Sequence, residues 1–599
     1  MAKIDDIAAR EAREFIEQEG QFHLGFLPTE QSHPKTVDFS ATVLRDSAAG
    51  AAMLLSVDLD IPPVAERIFA GLEFAALERA VEETARRAGQ PGGGGRIAFT
   101  GCGATGRLAI ILEKMWRAYW EEAAERYHSL AWQFRGRAEA AYSIMTGGDR
   151  ALIRSVENFE DYISFGRRQV VDARLGKGDV LIAITEGGET SSVIGTALEA
   201  CERGARVFFV FNNPTSVLRE HIERSRRIIE EPRITKIDLF TGPMALSGST
   251  RLQATTSEML VVGAALERAC ARVLAREVPS EGGAEAGSDR LAQAPDASAY
   301  AGLFERLVRS LSSGEALEGV ARAMDLESDV YRGAGLVTYL CDEYLLDIIS
   351  DTTERTPTFM LPPFRARGDE SSPPSWAFTK DPLLPTGKAW HRMLRREPRG
   401  LDWNAEDYRA MGASERIISR PPKLDRAEIL SYAIGVEDDP SRSAQPGSLL
   451  LLVDVGEPSA PPVERSFERL GQSFPRRSRL SIGRASGGSG AEAIDIPVDI
   501  PPTPMGLMTH LAVKLIFNTV STATMGKLGR IQGNWMIQVD PTNKKLVDRS
   551  TRIIAALAGL PYEDACRELY RSIVERREGP KQYQDSCVAS TLKRLGAFR

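Results

Sequence analysis

Short runs of consecutive apolar residues alternate with longer amphipathic stretches along the first half of the chain. The runs at 97–99, 180–184 and 206–214 are typical of buried strands, the last one ending at a turn, and 142–147 is strand-like. Apolar positions between them recur at helical spacing. Strands that alternate with helices indicate parallel pairing in an open sheet covered by helices. We therefore predict an α/β fold.

A second α/β pattern occupies much of the second half. It predicts a strand and helix over 332–350, a buried strand over 448–456, a short strand over 478–483 and a mainly helical end. Residues 361–425 are rich in Pro, Arg and Trp and have little periodicity, so they are predicted to be an insertion that either packs between domains or faces a partner. The predicted boundaries are an N-terminal helix and arm over 1–50, a first domain over 51–275, a linker over 276–300, a second domain over 301–505 and a C-terminal helical region over 506–599.

Two glycine-containing turns follow predicted strands of the first half, at 101–106 and 185–190. Each opens a helix, so backbone N–H groups and the positive helix end converge where an anion can bind. Thr105 could add a hydroxyl donor. Either turn alone could be an ordinary tight turn or a helix cap. Both lie at the carboxyl edge of one parallel sheet, where ligands bind, which favours a phosphate pocket.

Polar residues elsewhere have two interpretations each. The stretch 242–252 places Ser249 and Thr250 before a helix, as anion donors or as a capping box. Glu160 lies in a segment predicted to be helical, 155–161, and Glu354 is predicted to follow a helix. Both positions are most often solvated surface. Lys514 lies within the apolar sequence LAVKLIFNTV, where a lysine either extends its amine to solvent or faces an anion.

Composition narrows the class of protein. The 599 residues, 43% hydrophobic and 26% charged, are typical of a globular chain of several domains. A net charge of −7 without a basic stripe argues against nucleic acid as a partner. Six scattered cysteines suit a reducing compartment and give no metal site. The charged N-terminal helix is no signal peptide and no apolar run is long enough to span a bilayer, so we expect a cytoplasmic protein.

The motifs, taken in order, resemble the sugar isomerase (SIS) domain family. Within that family they resemble the branch that holds N-acetylmuramic acid 6-phosphate etherase and the glucokinase regulatory protein. The matching stretches are TEQSHPKT (29–36), GCGATGRL (101–108), SVENFED (155–161), AITEGGETSSVIG (183–195), GPMALSGSTR (242–251), ERTPTF (354–359), VKLIFNTVSTATMGKLGRIQGNWM (513–536) and NKKLVDR (543–549). The resemblance implies tandem SIS domains, each a flavodoxin-like parallel sheet flanked by helices.

The order of the motifs also implies a fused duplication with one composite site. In the etherases a glutamate closely follows the first glycine turn, and GSTR runs directly into a lysine-containing motif. Here Met115 and Met259 stand at those places in the first half, whereas the second half supplies Glu354 and Lys514. The second half's own turns, RGAGLV and VDVGEPSAPP, lack a hydroxyl-rich loop. The first half is thus expected to hold phosphate and the second to add a carboxylate and a lysine.

The same resemblance assigns the residues of the sugar-phosphate pocket. They are Gly103, Ala104, Thr105, Thr185, Glu186, Gly187, Ser249 and Lys514. Ala104 stands where the family usually has threonine, which removes one donor. Glu186 and Glu189 place negative charge in the loop, which weakens phosphate binding unless they face away or meet sugar hydroxyls.

Two functions follow from the resemblance, and neither requires a metal or another cofactor. As a regulator, the protein would bind a sugar phosphate and change its affinity for a sugar kinase or another partner. As an etherase, it would release lactate, with Glu160 as the base and Glu354 as the acid. Muramic acid, hexosamine and fructose phosphates are the candidate ligands. Aldose–ketose isomerisation fits the motifs less closely.

Overall fold

The computed structural model describes residues 2–90, 92–156, 158–278, 290–483, 493–578 and 585–598. Within them, ten strands form two parallel sheets and two further strands form a short hairpin. The strands are β1 Ile97–Gly101, β2 Ala141–Met145, β3 Val180–Ile184, β4 Arg206–Phe211, β5 Ile234–Asp238, β6 Val337–Leu340, β7 Ala377–Lys380, β8 Leu449–Gly456, β9 Arg476–Gly483, β10 Ile494–Ile496, β11 Ile531–Gln532 and β12 Trp535–Met536.

The two sheets have the same topology, which is direct structural evidence for a duplicated fold. The first has strand order β2-β1-β3-β4-β5 and the second β7-β6-β8-β9-β10. In each, the direction of strand addition reverses between two neighbouring strands, β1 and β3 or β6 and β8. Ligands of open α/β sheets bind beyond the carboxyl ends of the strands at such a switch point. Phe99 of β1 lies opposite Ile182 of β3, which sets the register there.

Helices cover both sheets, which explains why β1 and β3 are continuous apolar runs buried along their whole length. The helices of the first half are α1 Ala2–Gln18, α2 Phe39–Arg45, α3 Ser47–Asp58, α4 Ile61–Phe69, α5 Leu72–Ala88, α6 Ala104–Arg126, α7 Ala131–Ala138, α8 Arg150–Ile153, α9 Ile163–Asp172, α10 Ser191–Glu202, α11 Thr215–His221, α12 Glu223–Ile229 and α13 Gln253–Glu277. Those of the second half are α14 Ala297–Leu311, α15 Gly314–Arg332, α16 Leu345–Phe359, α17 Thr386–Leu394, α18 Ala405–Ala410, α19 Glu415–Ser419, α20 Arg426–Leu430, α21 Pro440–Ser443, α22 Pro461–Gly471, α23 Leu507–Lys527, α24 Lys544–Ala558, α25 Tyr562–Glu578 and α26 Cys587–Arg594.

The expected insertion over 361–425 is not separate from the second sheet. It contains β7, which pairs in parallel with β6, as well as α17, α18 and α19. Only four residues form this strand, and the prolines around it hide the pattern. The turn RGAGLV also differs from the expectation, because it precedes β6 and therefore lies at the wrong end of the strand for a ligand turn. Of the expected linker, residues 279–289 lie outside the described residues.

Two helical expectations are corrected in detail. Glu354 lies inside α16 rather than after a helix, because that helix continues through Pro357. The stretch 155–161 is not helical: Phe159–Asp161 form a single 3-10 turn between α8 and α9, and Glu157 lies outside the described residues.

The region 506–599 divides into two parts. Helix α23 belongs to a core cluster shared by both sheets, in which its Phe517 joins Phe208 of β4 and Leu451 of β8. The helices α24, α25 and α26 instead form a separate apolar cluster with α1.

One stretch of the described residues, Ser47–Phe69, is long and apolar enough by length and composition to cross a membrane. It is interrupted between α3 and α4. Leu55 and Ile61 are almost fully buried against the protein core. The stretch is therefore a pair of core helices.

Candidate functional site

The turn after β1 is shaped by its glycines. Gly103 has φ +57° and ψ −122°, a conformation that side chains disfavour, and it immediately precedes α6. A Cβ on Gly101 would lie 2.3 Å from the carbonyl carbon of Thr105. Because Gly103 has no side chain to cap α6, the first N–H groups of that helix remain available to an anion.

The Thr105 hydroxyl stabilises the turn itself. Its Oγ1 donates to the carbonyl oxygen of Cys102 at 2.8 Å and accepts from the Cys102 N–H at 3.1 Å. The side chain is almost fully buried. The part of Thr105 that remains for a ligand is its backbone N–H at the start of α6.

The turn after β3 is fixed by hydrogen bonds to its backbone. The Asn212 N–H donates to the Glu186 carbonyl oxygen at 3.0 Å, and Asn213 Nδ2 donates to that of Gly187 at the same distance. Thr185 Oγ1 donates to Thr190 Oγ1 at 3.0 Å, so neither hydroxyl caps α10. The start of α10 is therefore a second set of uncapped N–H groups beside the first.

The two carboxylates of this loop differ in their partners. Glu189 accepts hydrogen bonds from Arg224 Nη2 at 2.6 Å and Lys545 Nζ at 2.8 Å. Burial alone would raise the pKa of Glu189, but Lys545 and Arg224 lower it to about 2. Glu189 is therefore an ionised, compensated group that faces these two cations.

Glu186 is the uncompensated member of the pair. Its side chain accepts a long hydrogen bond, 3.5 Å from Thr255 Oγ1, and one from its own backbone N–H, and no cation contacts it among the described residues. Burial raises the pKa of Glu186 to about 7. The charges of Glu354 and Glu160 add to that rise, while Lys545 opposes it. The loop thus carries a carboxyl group that titrates near neutral pH.

A cavity of about 50 Å³ joins this region to the second half. It is lined by Ala104, Arg107, Leu108, Ile111, Arg251, Thr255, Met259, Asp347, Ser350, Asp351, Glu354, Lys514 and Asn518. The structure thus brings the predicted residues Ala104, Glu354 and Lys514 together around one space.

Arg107 connects the two halves across this cavity. Its Nη1 donates to Glu354 Oε1 and its Nε donates to Thr353 Oγ1 at 3.1 Å. The arginine is only 2% exposed, and its Nη2 has no hydrogen-bond partner among the residues the structure describes. Arg107 lies in the matched motif GCGATGRL, but its pairing with Glu354 could not be predicted from local sequence.

Lys514 neither extends to solvent nor pairs closely with a carboxylate in this structure. Its Nζ donates to Thr256 Oγ1 at 2.7 Å, to the Arg251 carbonyl oxygen at 2.9 Å and to that of Leu252 at 3.2 Å. Burial lowers the pKa of Lys514 below its usual range, and the nearby Asp58 opposes this shift. The lysine therefore holds the GSTR segment of the first half.

The start of α24 closes the other side of the site. Asn543 Nδ2 donates to Glu160 Oε1 at 3.0 Å, while Cys102 Sγ lies 3.9 Å from Glu160 Oε2. With the Lys545–Glu189 pair, these contacts place the start of α24 against both glycine turns. The motif NKKLVDR was the available signal for this third contribution, but its role was not predicted.

Ser249 does not line the cavity. Its neighbour Gly248 packs against Arg549 and Glu30, since a Cβ on it would lie 2.6 Å from Arg549 Nε. Ser249 Oγ is buried and has no partner within the described part of the chain. The capping alternative for this stretch is wrong, because α13 begins at Gln253 with Leu252 at its N-cap.

Metal-binding geometry is not found: no group of three or more His, Cys, Asp or Glu side chains in the described ranges could hold an ion.

Comparison with known proteins supports the predicted family. Residues 77–202 match the model of the glucokinase regulatory protein N-terminal SIS domain. The N-acetylmuramic acid 6-phosphate etherase of Deinococcus radiodurans is 30% identical over 236 residues, which are 39% of this chain and 65% of that protein. N-acetylmuramic acid 6-phosphate etherase 1 of Bacillus licheniformis is 30% identical over 169 residues, 28% of this chain and 47% of that protein.

The chain therefore spans 65% and 47% of the lengths of these two curated relatives. A solved structure, the C-terminal domain of glucosamine-fructose-6-phosphate aminotransferase from Francisella tularensis, aligns with a TM-score of 0.38 and 10% identity. That alignment covers 79% of this chain and 96% of that domain. The family-model match over residues 77–202 and the similarity to these relatives support the SIS family, in the branch of the glucokinase regulatory protein and the N-acetylmuramic acid 6-phosphate etherases.

Proposed function

We propose that the protein binds a sugar phosphate at one composite site between its two halves and acts as a sugar-phosphate-responsive regulator. The observation that carries the proposal is the Arg107–Glu354 ion pair across a cavity lined from both halves. Any ligand that enters this cavity contacts the first glycine turn and α16 together. Its binding therefore changes how the halves pack, which is what a ligand-controlled partner surface requires.

The size of the cavity supports a coupled rearrangement. Small-molecule sites usually enclose roughly 300–1,000 Å³, whereas this cavity encloses about 50 Å³. A sugar phosphate fits only if side chains at the junction separate, and the Arg107–Glu354 pair is one of the contacts that join the halves there, with the Arg251–Asp351 pair and the hydrogen bonds of Lys514. A phosphate that takes over the Arg107 guanidinium would release Glu354 and loosen the junction.

The etherase reaction is the second candidate, because both required carboxylates are close to the loop. Glu160 and Glu354 each lie near enough to Glu186 to affect its pKa. A general acid must present a proton to the leaving oxygen, however, and Glu354 accepts a hydrogen bond from the Arg107 guanidinium instead. That contact supports the regulatory proposal over the lyase.

The test separates binding from catalysis. Titration calorimetry with fructose 6-phosphate, N-acetylglucosamine 6-phosphate and N-acetylmuramic acid 6-phosphate should show binding, while a lactate assay with the last compound stays at background. Glu354→Gln should change the affinity, and the exposed Glu315→Gln serves as its matched control. Lactate release that Glu160→Gln and Glu354→Gln abolish would establish the etherase instead, and no binding of any of these compounds would refute both functions.

A further inference from the structure

Beside the composite site lies a carboxyl group that no cation contacts directly among the described residues. Glu186 lies in the loop between β3 and α10 and is 9% exposed. Three residues along the same loop, Glu189 is held between Arg224 and Lys545, whereas the Glu186 carboxyl group has the 3.5 Å bond from Thr255 and one from its own backbone N–H. Glu189 therefore contacts both cations, whereas Glu186 contacts neither and is linked to the cavity through Thr255, which lines it.

A second carboxyl group lies beside it. Glu258 of α13 is fully buried, and its Oε1 accepts a hydrogen bond from Asn212 Nδ2 at 3.0 Å. Its Oε2 is buried with no partner among the described residues. Burial raises the pKa of Glu258 well above its usual value, and the charge of Glu186 adds to the rise. Two adjacent buried carboxyl groups with an unused acceptor favour a cationic donor in the ligand.

The opposite end of the site favours an anion. Arg107 lines the cavity, and its Nη2 is buried and unpartnered in the described structure. The uncapped start of α6 adds N–H donors and a partial positive charge on the same side. A guanidinium in this position forms paired, charge-assisted hydrogen bonds with phosphate oxygens.

We propose that the ligand of this site is an amino sugar phosphate, whose ammonium group binds Glu186 while its phosphate binds Arg107 and the start of α6. The inference rests on the proposed function and narrows its ligand class. A hydroxyl or an acetylated amine can donate a hydrogen bond to Glu186 but leaves its charge uncompensated. A free ammonium supplies both the hydrogen bond and the counter-charge.

The experiment compares three ligands that differ at one carbon. Calorimetry at neutral pH with glucosamine 6-phosphate, glucose 6-phosphate and N-acetylglucosamine 6-phosphate should show the amino compound binding about tenfold more tightly than the other two. Glu186→Gln, which keeps the shape of the side chain, should reduce that preference to about twofold or less by weakening the amino compound and strengthening the others. Glu202→Gln removes a charge at the far end of α10, the helix that follows the Glu186 loop, and should preserve the preference. Glu186→Ser checks the result if the first substitution perturbs folding.

The outcomes distinguish the inference from the function on which it rests. If the three ligands bind wild-type protein equally, or the amino compound binds least, the inference is refuted while sugar-phosphate binding stands. If the preference exists but survives both Glu186 substitutions, the assignment to Glu186 is refuted. If none of the three binds, the proposed function fails and the inference falls with it.

Discussion

The two switch points of this molecule have the same strand topology but differ in their turns and in the helix starts that follow them. At the first, between β1 and β3, glycine turns lead into helices α6 and α10, whose first N–H groups are uncapped. At the second, between β6 and β8, the turn Cys341–Tyr344 has no glycine, and α22 begins with two prolines. Proline has no N–H to donate. The two copies thus share the scaffold, but the second has no glycine in the turn before α16 and lacks two N–H groups at the start of α22.

The second switch point also carries its own negative charge. Asp347 lies in the first turn of α16, where its Oδ1 contacts His510 Nδ1 at 2.7 Å, and Lys114 of α6 lies 3.9 Å from its Oδ2. Burial alone would raise the pKa of Asp347, but His510 and Lys114 hold it below the usual value. A carboxylate of the chain therefore takes the place of an external anion at this helix end.

The largest effect is expected from matched glycine substitutions at the two switch points. Gly101→Ala places a Cβ 2.3 Å from the backbone of Thr105 and should lower the free energy of unfolding by about 3 kcal/mol and abolish sugar-phosphate binding. Gly456→Ala, at φ +77° with open space around it, should cost about 1 kcal/mol and leave binding intact. Urea unfolding and calorimetry measure both. Equal losses of binding would contradict the assignment of the ligand to the first switch point.

The next effect concerns α24, whose Lys545 contacts the loop at the first switch point. Lys545→Met leaves the buried Glu189 with Arg224 alone and should cost about 2 kcal/mol in urea unfolding. The control is Lys544→Met, one residue earlier, where the lysine is half exposed in its pair with Glu19. That substitution should cost less than about 0.5 kcal/mol. If the two variants unfold alike, α24 does not stabilise the loop in the way described.

A smaller effect is expected from pH, and it too separates the switch points. The pKa of Glu186 is about 7, so the group is neutral below this pH and negative above it. A sugar phosphate without an amine should therefore bind more weakly at pH 8 than at pH 6, by about three- to tenfold. Asp347 is already ionised in this range because its pKa lies below the usual value, so that carboxylate adds no change.

Calorimetry across this range in Glu186→Gln provides the control. Phosphate ionisation, with a pKa of about 6, persists in that variant, so only the contribution of Glu186 disappears. The substitution leaves the other charged groups near Glu186 in place, namely Glu160, Glu258, Glu354 and Lys545. An identical pH dependence in wild type and variant would show that Glu186 does not titrate near the ligand.

The smallest effect is expected when backbone donors are restored to the second switch point. Replacement of Pro461 and Pro462 by alanine returns two N–H groups to the start of α22, with a stability change within about 1 kcal/mol. Binding stoichiometry should remain one sugar phosphate per chain, because Asp347 still occupies the neighbouring helix end. A second bound sugar phosphate would show that the absence of these N–H groups alone prevents binding at the second switch point.

Much of the fold was predictable because its central strands are short continuous apolar runs. β1, β3, β4 and β8 could be identified from their sequences in this way, and the order of motifs predicted two α/β units. β7 could not, since its four residues pair with β6 through contacts that local sequence does not encode. RGAGLV was compared with the glycine turns of the first half although it precedes β6, because a glycine-rich segment can precede or follow a strand.

The site was predictable where sequence order alone sufficed. The division of motifs between the halves predicted that Glu354 and Lys514 would accompany the first glycine turn, and the structure places both on one cavity with Ala104. It could not predict that the Thr105 hydroxyl turns back to Cys102, or that Arg107 pairs with Glu354. Those contacts depend on side-chain geometry and on the packing of α6 against α16.

The contacts of α24 can form only late in synthesis of the chain. Lys545 follows Glu189 by 356 residues and Asn543 follows Glu160 by 383. While the ribosome is still translating the second half, the first sheet can assemble, but its β3 loop lacks one of the two cations that neutralise Glu189. The loop is therefore completed only after the segment with Asn543 and Lys545 has been made, so a chain that ends before α24 lacks both contacts.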